Sequence, residues 1–164
     1  MNHTQPQHKL EVTTPSDREI VMTRVFNAPR ALVFDAFTKP ELIKRWLLGP
    51  DGWSMPVCDV DLRAGGRYTY RWRGNTGEGE FGVSGVYREV VRPERILHTE
   101  RFDENPSEAQ ITTTFVEHNG STTATMTIVY ESREIRDMVL ETGMDTGVAT
   151  SYDRLAGLLD ESRT

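Results

Sequence analysis

The longest stretch with a helical period of apolar residues is the last third of the chain, from Ser132 to about Glu161. Wound at about 100° per residue, its apolar positions fall on one stripe. That stripe consists of Leu140, Met144, Val148, Ser151, Leu155 and Leu158. Ser132 is predicted as the N-cap, because its hydroxyl can accept a hydrogen bond from a first-turn amide. The phase of the pattern changes near Gly143, which indicates either a kink or a surface glycine that the helix tolerates.

The pattern before this helix predicts strands with two short helices among them. Glu19 to Asn27 is the first strand, and Ala28-Pro29 opens a helix that stops before Pro40. Pro40 starts a second short helix, which Gly49-Pro50 ends. Six further strands follow at 54–63, 67–73, 80–91, 96–102, 110–117 and 121–130. We therefore expect an α+β fold, in which a curved antiparallel sheet of about seven strands wraps around the long C-terminal helix.

The ends and the bulk composition limit the classes of protein to consider. Residues 1–17 are polar and lack a period, so they predict a flexible tail, and 18–164 are predicted to form a single domain. A formal net charge of −6 argues against a nucleic-acid surface. No apolar run is long enough to span a membrane, and the first residues lack the apolar core of a secretory signal. With Cys58 as the only cysteine, the chain fits a reducing cytoplasm.

Six short motifs give the chain a resemblance to a known family. They are VFNAP at 25–29 with Val33-Phe34, Trp46 before Gly49-Pro50, DLR at 61–63 with Gly65-Gly66, GVYRE at 85–89 before PERI at 93–96, Gly143-Met144, and YDRL at 152–155. In this order they resemble the activator of heat-shock protein 90 ATPase homologue-like family of the SRPBCC (START-like) superfamily. The resemblance covers about residues 19–161. It implies a helix-grip fold (birch-pollen-allergen-like) with a cavity between the sheet and the long helix, often suited to apolar ligands.

The sequence shows no recognisable catalytic constellation. It has neither a phosphate-binding loop with its lysine nor a nucleophile elbow of the G-x-S-x-G type. The four histidines share no ligand spacing with one another or with Cys58, so neither a metal nor another cofactor is predicted. Cys58 lies between Val57 and Val60 in a predicted strand, which is typical of a small buried residue. An enzyme is thus less favoured than a binding protein.

Two groups of side chains are candidates for binding a ligand in such a cavity through apolar contact. The first is aromatic and consists of Trp46, Trp53, Tyr68, Tyr70 and Trp72. Tyrosine and tryptophan supply apolar walls with polar tips that can orient a ligand, although plain core packing explains any single one of them equally well. The second group lies on the C-terminal helix and consists of Met144, Val148, Ser151 and Tyr152.

A histidine and a carboxylate form a third candidate group. In the strand from Ile96 to Phe102, the positions that share a face with His98 and Glu100 carry more apolar bulk than the alternate positions do. If that face is turned inward, His98 and Glu100 are turned inward with it, where they can hold a polar group or act as acid and base. A register shift of one residue would instead place both in solvent.

Three functions follow from these observations. The first is a cytoplasmic protein that binds a small hydrophobic or amphipathic molecule. The second is a cyclase- or hydrolase-type enzyme that uses His98 and Glu100 in the same cavity. The third, implied by the family resemblance, is contact with a chaperone, in the manner of an activator of the heat-shock protein 90 ATPase.

The oligomeric state is open, since an edge strand can pair with another copy.

Overall fold

The fold is built on one antiparallel sheet. The computed structural model describes residues 8–103, 105 and 107–161. Its strands are β1 (Glu11–Thr13), β2 (Glu19–Phe26), β3 (Trp53–Val60), β4 (Arg67–Gly74), β5 (Glu80–Val91), β6 (Arg95–Phe102), β7 (Ala109–His118) and β8 (Ser121–Val129). They are arranged in the order β1-β2-β8-β7-β6-β5-β4-β3. The curved sheet together with a C-terminal helix confirms the predicted helix-grip fold.

The described residues also form four helices: α1 (Arg30–Thr38), α2 (Pro40–Trp46), α3 (Arg133–Glu141) and α4 (Met144–Glu161). The two short helices after β2 lie where the prolines predicted them. Lys39, the residue before Pro40, has extended backbone angles (φ −88°, ψ 120°), which separates α1 from α2. Helix α4 packs against α1, α2 and β2, so its position is determined by both layers of the fold.

The sheet has one more strand than the sequence predicted. Strand β1 pairs with β2 through contacts such as Val12 with Met22, so part of the predicted tail belongs to the sheet. This strand corrects the predicted boundary at residue 17. The first seven residues of that tail lie outside the described residues. His8, the first described residue, already reaches the body of the fold, with its Nε2 3.3 Å from Oδ1 of Asn27.

The predicted long C-terminal helix is divided into α3 and α4 at Gly143. Ser132 caps α3 as predicted, because its hydroxyl accepts a hydrogen bond from the amide of Ile135. Gly143 adopts φ +77°, a left-handed conformation that ends a helix and that glycine tolerates best. The two helices therefore present different faces to the sheet. Helix α4 buries Ser151, Tyr152, Leu155 and Leu159, whereas the predicted stripe contained Leu158 at its end.

An aromatic cluster fills one end of the space between the sheet and α4. The ring of Tyr152 lies 5.5 Å from that of Phe26, 5.8 Å from that of Phe37 and 5.8 Å from that of Trp46. Phe37 and Trp46 are themselves 5.0 Å apart. Such aromatic packing is dense and leaves no room for a ligand. The open space therefore lies beyond this cluster, toward the first turns of α4.

Candidate functional site

A cavity of about 420 Å³ lies between the sheet and the first half of α4. Strands β4 to β8 supply one wall with mostly apolar side chains, among them Val83, Ile111 and Ile128. Met144 and Val148 of α4 form the opposite wall. A volume of this size falls within the range of about 300–1,000 Å³ that is usual for small-molecule sites.

The loop at 47–50, between α2 and β3, forms a third side of the cavity and is bonded to α4. The amide of Gly49 donates a hydrogen bond of 2.8 Å to the hydroxyl of Ser151. The guanidinium of Arg154 donates to the carbonyl oxygens of Trp46 (2.9 Å) and Gly49 (3.2 Å). It also forms an ion pair of 3.2 Å with Asp51. These bonds hold the loop and the helix together along one side of the cavity.

Aromatic side chains line the cavity toward the solvent. Trp72 stacks on Phe81 with ring centres 5.2 Å apart, and Phe81 stacks in turn on Phe102. Phe81 and Phe102 are 41% and 45% exposed while also lining the cavity, so they mark where it meets solvent. Trp72 is fixed from behind, because its indole N–H donates a 2.7 Å hydrogen bond to the carbonyl of Leu47. The mouth of the cavity is therefore aromatic.

His98 lines the cavity in the neutral form. Its Nδ1 lies 2.9 Å from the hydroxyl of Tyr68 and 3.1 Å from the carbonyl oxygen of Thr99. Because the Tyr68 hydroxyl already donates to that carbonyl, both neighbours act as acceptors, which places the ring proton on Nδ1. Burial lowers the pKa of His98 to about 4, against the weaker opposite effect of its bond to Thr99. Nε2 consequently carries a free lone pair at neutral pH.

Glu100 lines the same cavity. Among the described residues, none forms a hydrogen bond or an ion pair with this side chain. Burial raises the pKa of Glu100 to about 7, because the charged form loses its hydration without gaining a partner. The carboxylate faces the open cavity, so it is available to a polar group of a bound molecule.

The two side chains lie on one face of β6, two residues apart, and both line the cavity, which is the inward alternative of the two that the sequence left open. Glu100 can gain or lose a proton near neutral pH, and His98 can accept a hydrogen bond through Nε2. This chemistry suits the holding of a polar group, and it also suits acid–base catalysis. The enzymatic alternative therefore stays a prediction.

Ten of the eleven predicted site residues line the cavity. They are Trp46, Trp53, Tyr70, Trp72, His98, Glu100, Met144, Val148, Ser151 and Tyr152. Tyr68 is the exception, since its ring is only 2% exposed and packs 5.1 Å from that of His98 and 5.4 Å from that of Tyr87. Tyr68 therefore supports His98 from behind. That the ten residues contact a ligand stays a prediction.

Several lining residues were missed by the sequence analysis. Ile96 and Phe102 share the face of His98 and Glu100, so the same alternation could have named them as site residues. Thr113 and Met126 lie on strands whose contact with α4 no local pattern reveals. The loop at 47–50 is also part of the wall, although the sequence marked it only as the end of a helix.

The remaining titratable candidates lie away from this chemistry. Cys58 is 7% exposed among apolar neighbours, and burial raises the pKa of its thiol to about 11, so it is protonated at neutral pH. Within the described ranges, no three His, Cys, Asp or Glu side chains come together in a way that suits a metal ion. None of the helices in those ranges is both long and apolar enough to cross a membrane.

The sheet, the C-terminal helix and the cavity between them define a protein of the SRPBCC (START-like) class, with the helix-grip fold. The sequence profile of the family described as "Activator of Hsp90 ATPase homolog 1-like protein" matches residues 27–160. The chain belongs to this family, which confirms the resemblance drawn from its motifs. None of the proteins with curated descriptions matches the chain.

Solved structures show the same architecture over nearly the whole chain. A protein from Rhodobacter sphaeroides is 27% identical and superposes with a TM-score of 0.88, covering 93% of this chain and 99% of that one. A protein from Mycobacterium smegmatis is 28% identical with a TM-score of 0.78, covering 91% and 97%. An HSP90 activator from Plasmodium falciparum is 20% identical with a TM-score of 0.52, covering 68% and 72%. At that identity, the last similarity shows the fold alone.

Proposed function

We propose that this protein binds a small hydrophobic or amphipathic molecule in the cavity between the sheet and α4. The observation that carries the proposal is the cavity itself, with its volume of about 420 Å³ and its largely apolar and aromatic lining. A few polar groups among apolar walls are what small-molecule sites usually contain. A cytoplasmic location, which the single cysteine favours, belongs to this proposal as well.

The cavity can be tested with N-phenyl-1-naphthylamine, a neutral apolar probe whose emission rises in dry surroundings. We expect saturable binding, with energy transfer from tryptophan, because all three tryptophans of the chain line the cavity. Val148→Trp fills the space beside the helix and should weaken binding roughly tenfold or more, since the added ring occupies the volume of the probe. The probe's own emission, excited directly, measures this effect.

The matched control is Thr146→Trp, which adds the same ring to an exposed position of the same helix. This variant should bind the probe as the unmodified protein does. Circular dichroism shows whether each variant keeps its fold. If Val148→Trp binds the probe as tightly as Thr146→Trp does, the probe lies elsewhere and the proposal is wrong.

Contact with a chaperone is a second candidate, and family membership is the observation that favours it. The match covers residues 27–160 of this chain, and the family description names the Hsp90 ATPase. The discriminating experiment adds the purified protein to this chaperone and measures ATP turnover. Stimulated turnover that persists in Val148→Trp would assign the activity to a surface outside the cavity.

A further inference from the structure

Two polar groups of β6 offer hydrogen-bond acceptors to the cavity. The Glu100 carboxylate accepts only, when ionised, and Nε2 of His98 accepts because the ring proton is on Nδ1. A ligand with hydrogen-bond donors suits these groups, whereas a ligand that offers only acceptors leaves them unpaired.

Two further acidic side chains lie near Glu100. Glu108 and Glu131 line a small space of about 30 Å³ that adjoins Glu100 on its other side, together with Tyr130. Glu108 pairs with Arg101 at 3.5 Å, and both side chains remain largely exposed, so this pair is a weak counter-charge. The polar neighbours Tyr68 and His98 are uncharged at neutral pH. This end of the cavity is therefore negative when Glu100 is ionised.

The rest of the cavity also favours a cation attached to an apolar body. Indole and phenol rings carry negative faces that attract cations, and Tyr70, Trp72 and Tyr87 all line the walls. Mostly apolar side chains supply the remaining surface and give a hydrocarbon chain its contacts. An unpaired carboxylate in such surroundings gains more from an ammonium ion than from a neutral hydroxyl.

We propose that the cavity binds amphipathic amines, with the ammonium group between Glu100 and His98 and the apolar part along the aromatic walls. This inference rests on the proposed function, because it names the ligand class of the same cavity. The ammonium donates hydrogen bonds to the Glu100 carboxylate and to Nε2 of His98. Anionic amphiphiles are repelled by the same carboxylate.

The test compares octylamine, octanol and octanoate as competitors of N-phenyl-1-naphthylamine at about pH 8, where an alkylamine is protonated. The three share one chain and differ in the head group. We expect octylamine to bind at least about tenfold more tightly than octanol, as charge-assisted hydrogen bonds commonly allow, and octanoate to bind most weakly. In Glu100→Gln the preference for the amine should disappear while the probe still binds.

Glu89→Gln is the matched control. It removes the same charge from an exposed side chain of β5 that pairs with Arg95 at 3.3 Å, outside the cavity, and should keep the preference for the amine. If the probe binds but octylamine has no advantage over octanol, the amine assignment is overturned while the binding function stands. The amine assignment is also overturned, and the binding function again stands, if octylamine keeps its advantage over octanol in Glu100→Gln. If the probe itself does not bind, both proposals are overturned.

Discussion

Glu100 costs the folded protein stability whenever it is ionised. Its carboxyl titrates near pH 7 in the folded state and near 4.5 when exposed, so the folded state favours the protonated form. The stabilising effect of that form is fully present below about pH 4.5 and is lost as the pH rises through about 7. Retaining such a group against stability is typical of functional sites.

Glu100→Gln should therefore be more stable than the unmodified protein at alkaline pH. The difference in the free energy of unfolding between the two should grow by up to about 3 kcal/mol as the pH rises from about 5 to about 8. Urea unfolding across this range measures it. His98 has the opposite pH dependence, because its pKa is lowered, but it is present in both proteins and cancels in the difference.

Glu89→Gln is again the control, and its difference from the unmodified protein should stay nearly constant with pH. A difference for Glu100→Gln that does not change with pH would mean that the carboxyl is hydrated in the folded protein. The amine hypothesis would then be weakened as well, because it requires a desolvated Glu100 carboxylate.

At the scale of elements, Arg154 joins α4 to the loop at 47–50 beside the cavity. Its guanidinium, whose side chain is 24% exposed, donates to two carbonyl oxygens and pairs with Asp51. Arg154→Met keeps most of the aliphatic length but removes these donors. It should lower the free energy of unfolding by about 1–2 kcal/mol, because two partly buried carbonyl oxygens lose their hydrogen-bond donor.

Arg45→Met provides a matched comparison for the same chemical change. Arg45 forms an ion pair of 3.7 Å with Glu161, and both side chains are more than half exposed. Exposed ion pairs contribute little, so this variant should stay within about 0.5 kcal/mol of the unmodified protein in urea unfolding. If both substitutions change the free energy of unfolding equally, the hydrogen bonds of Arg154 do not stabilise the loop.

Local patterns predicted most of the elements because most of them have a strong period. The alternation in β6 placed His98 and Glu100 on one face but left open whether that face points inward, and the structure places both side chains on the cavity wall. Strand β1 was missed because three residues carry no periodic signal, and it exists through its pairing with β2. The division of the last helix depends on the left-handed backbone at Gly143, which the apolar pattern indicated only through a change of phase.

The cavity residues were harder to predict than the strands. Alternation shows which face of a sheet a residue occupies, but not whether another side chain covers it. Tyr68 has the parity of Tyr70 and Trp72 and yet lies behind His98. The loop at 47–50 lines the cavity because α2 ends close to α4, and the distance between two helices is set by tertiary packing and not by a local pattern.

At the scale of the whole molecule, the two edges of the sheet discourage pairing with a second copy. Strand β1 is only three residues long, and β3 carries Pro56 beside an irregularity in its register between Ser54 and Val57. Short edges and prolines are common protections against edge-to-edge association. We expect a monomer, and sedimentation velocity over a range of concentrations measures this. A concentration-dependent dimer would contradict the expectation.

The pairing of β2 with β8 has a consequence for how the chain acquires its structure. Residues 19–26 pair with residues 122–129, so the first long strand finds its partner about a hundred residues later in the chain. Ile20 and Met22 are fully buried in the final sheet. In a chain emerging from the ribosome, both side chains stay exposed until β8 has been synthesised. Contacts so distant along the chain slow the search for the folded state. Folding is therefore expected to be completed only near the end of synthesis.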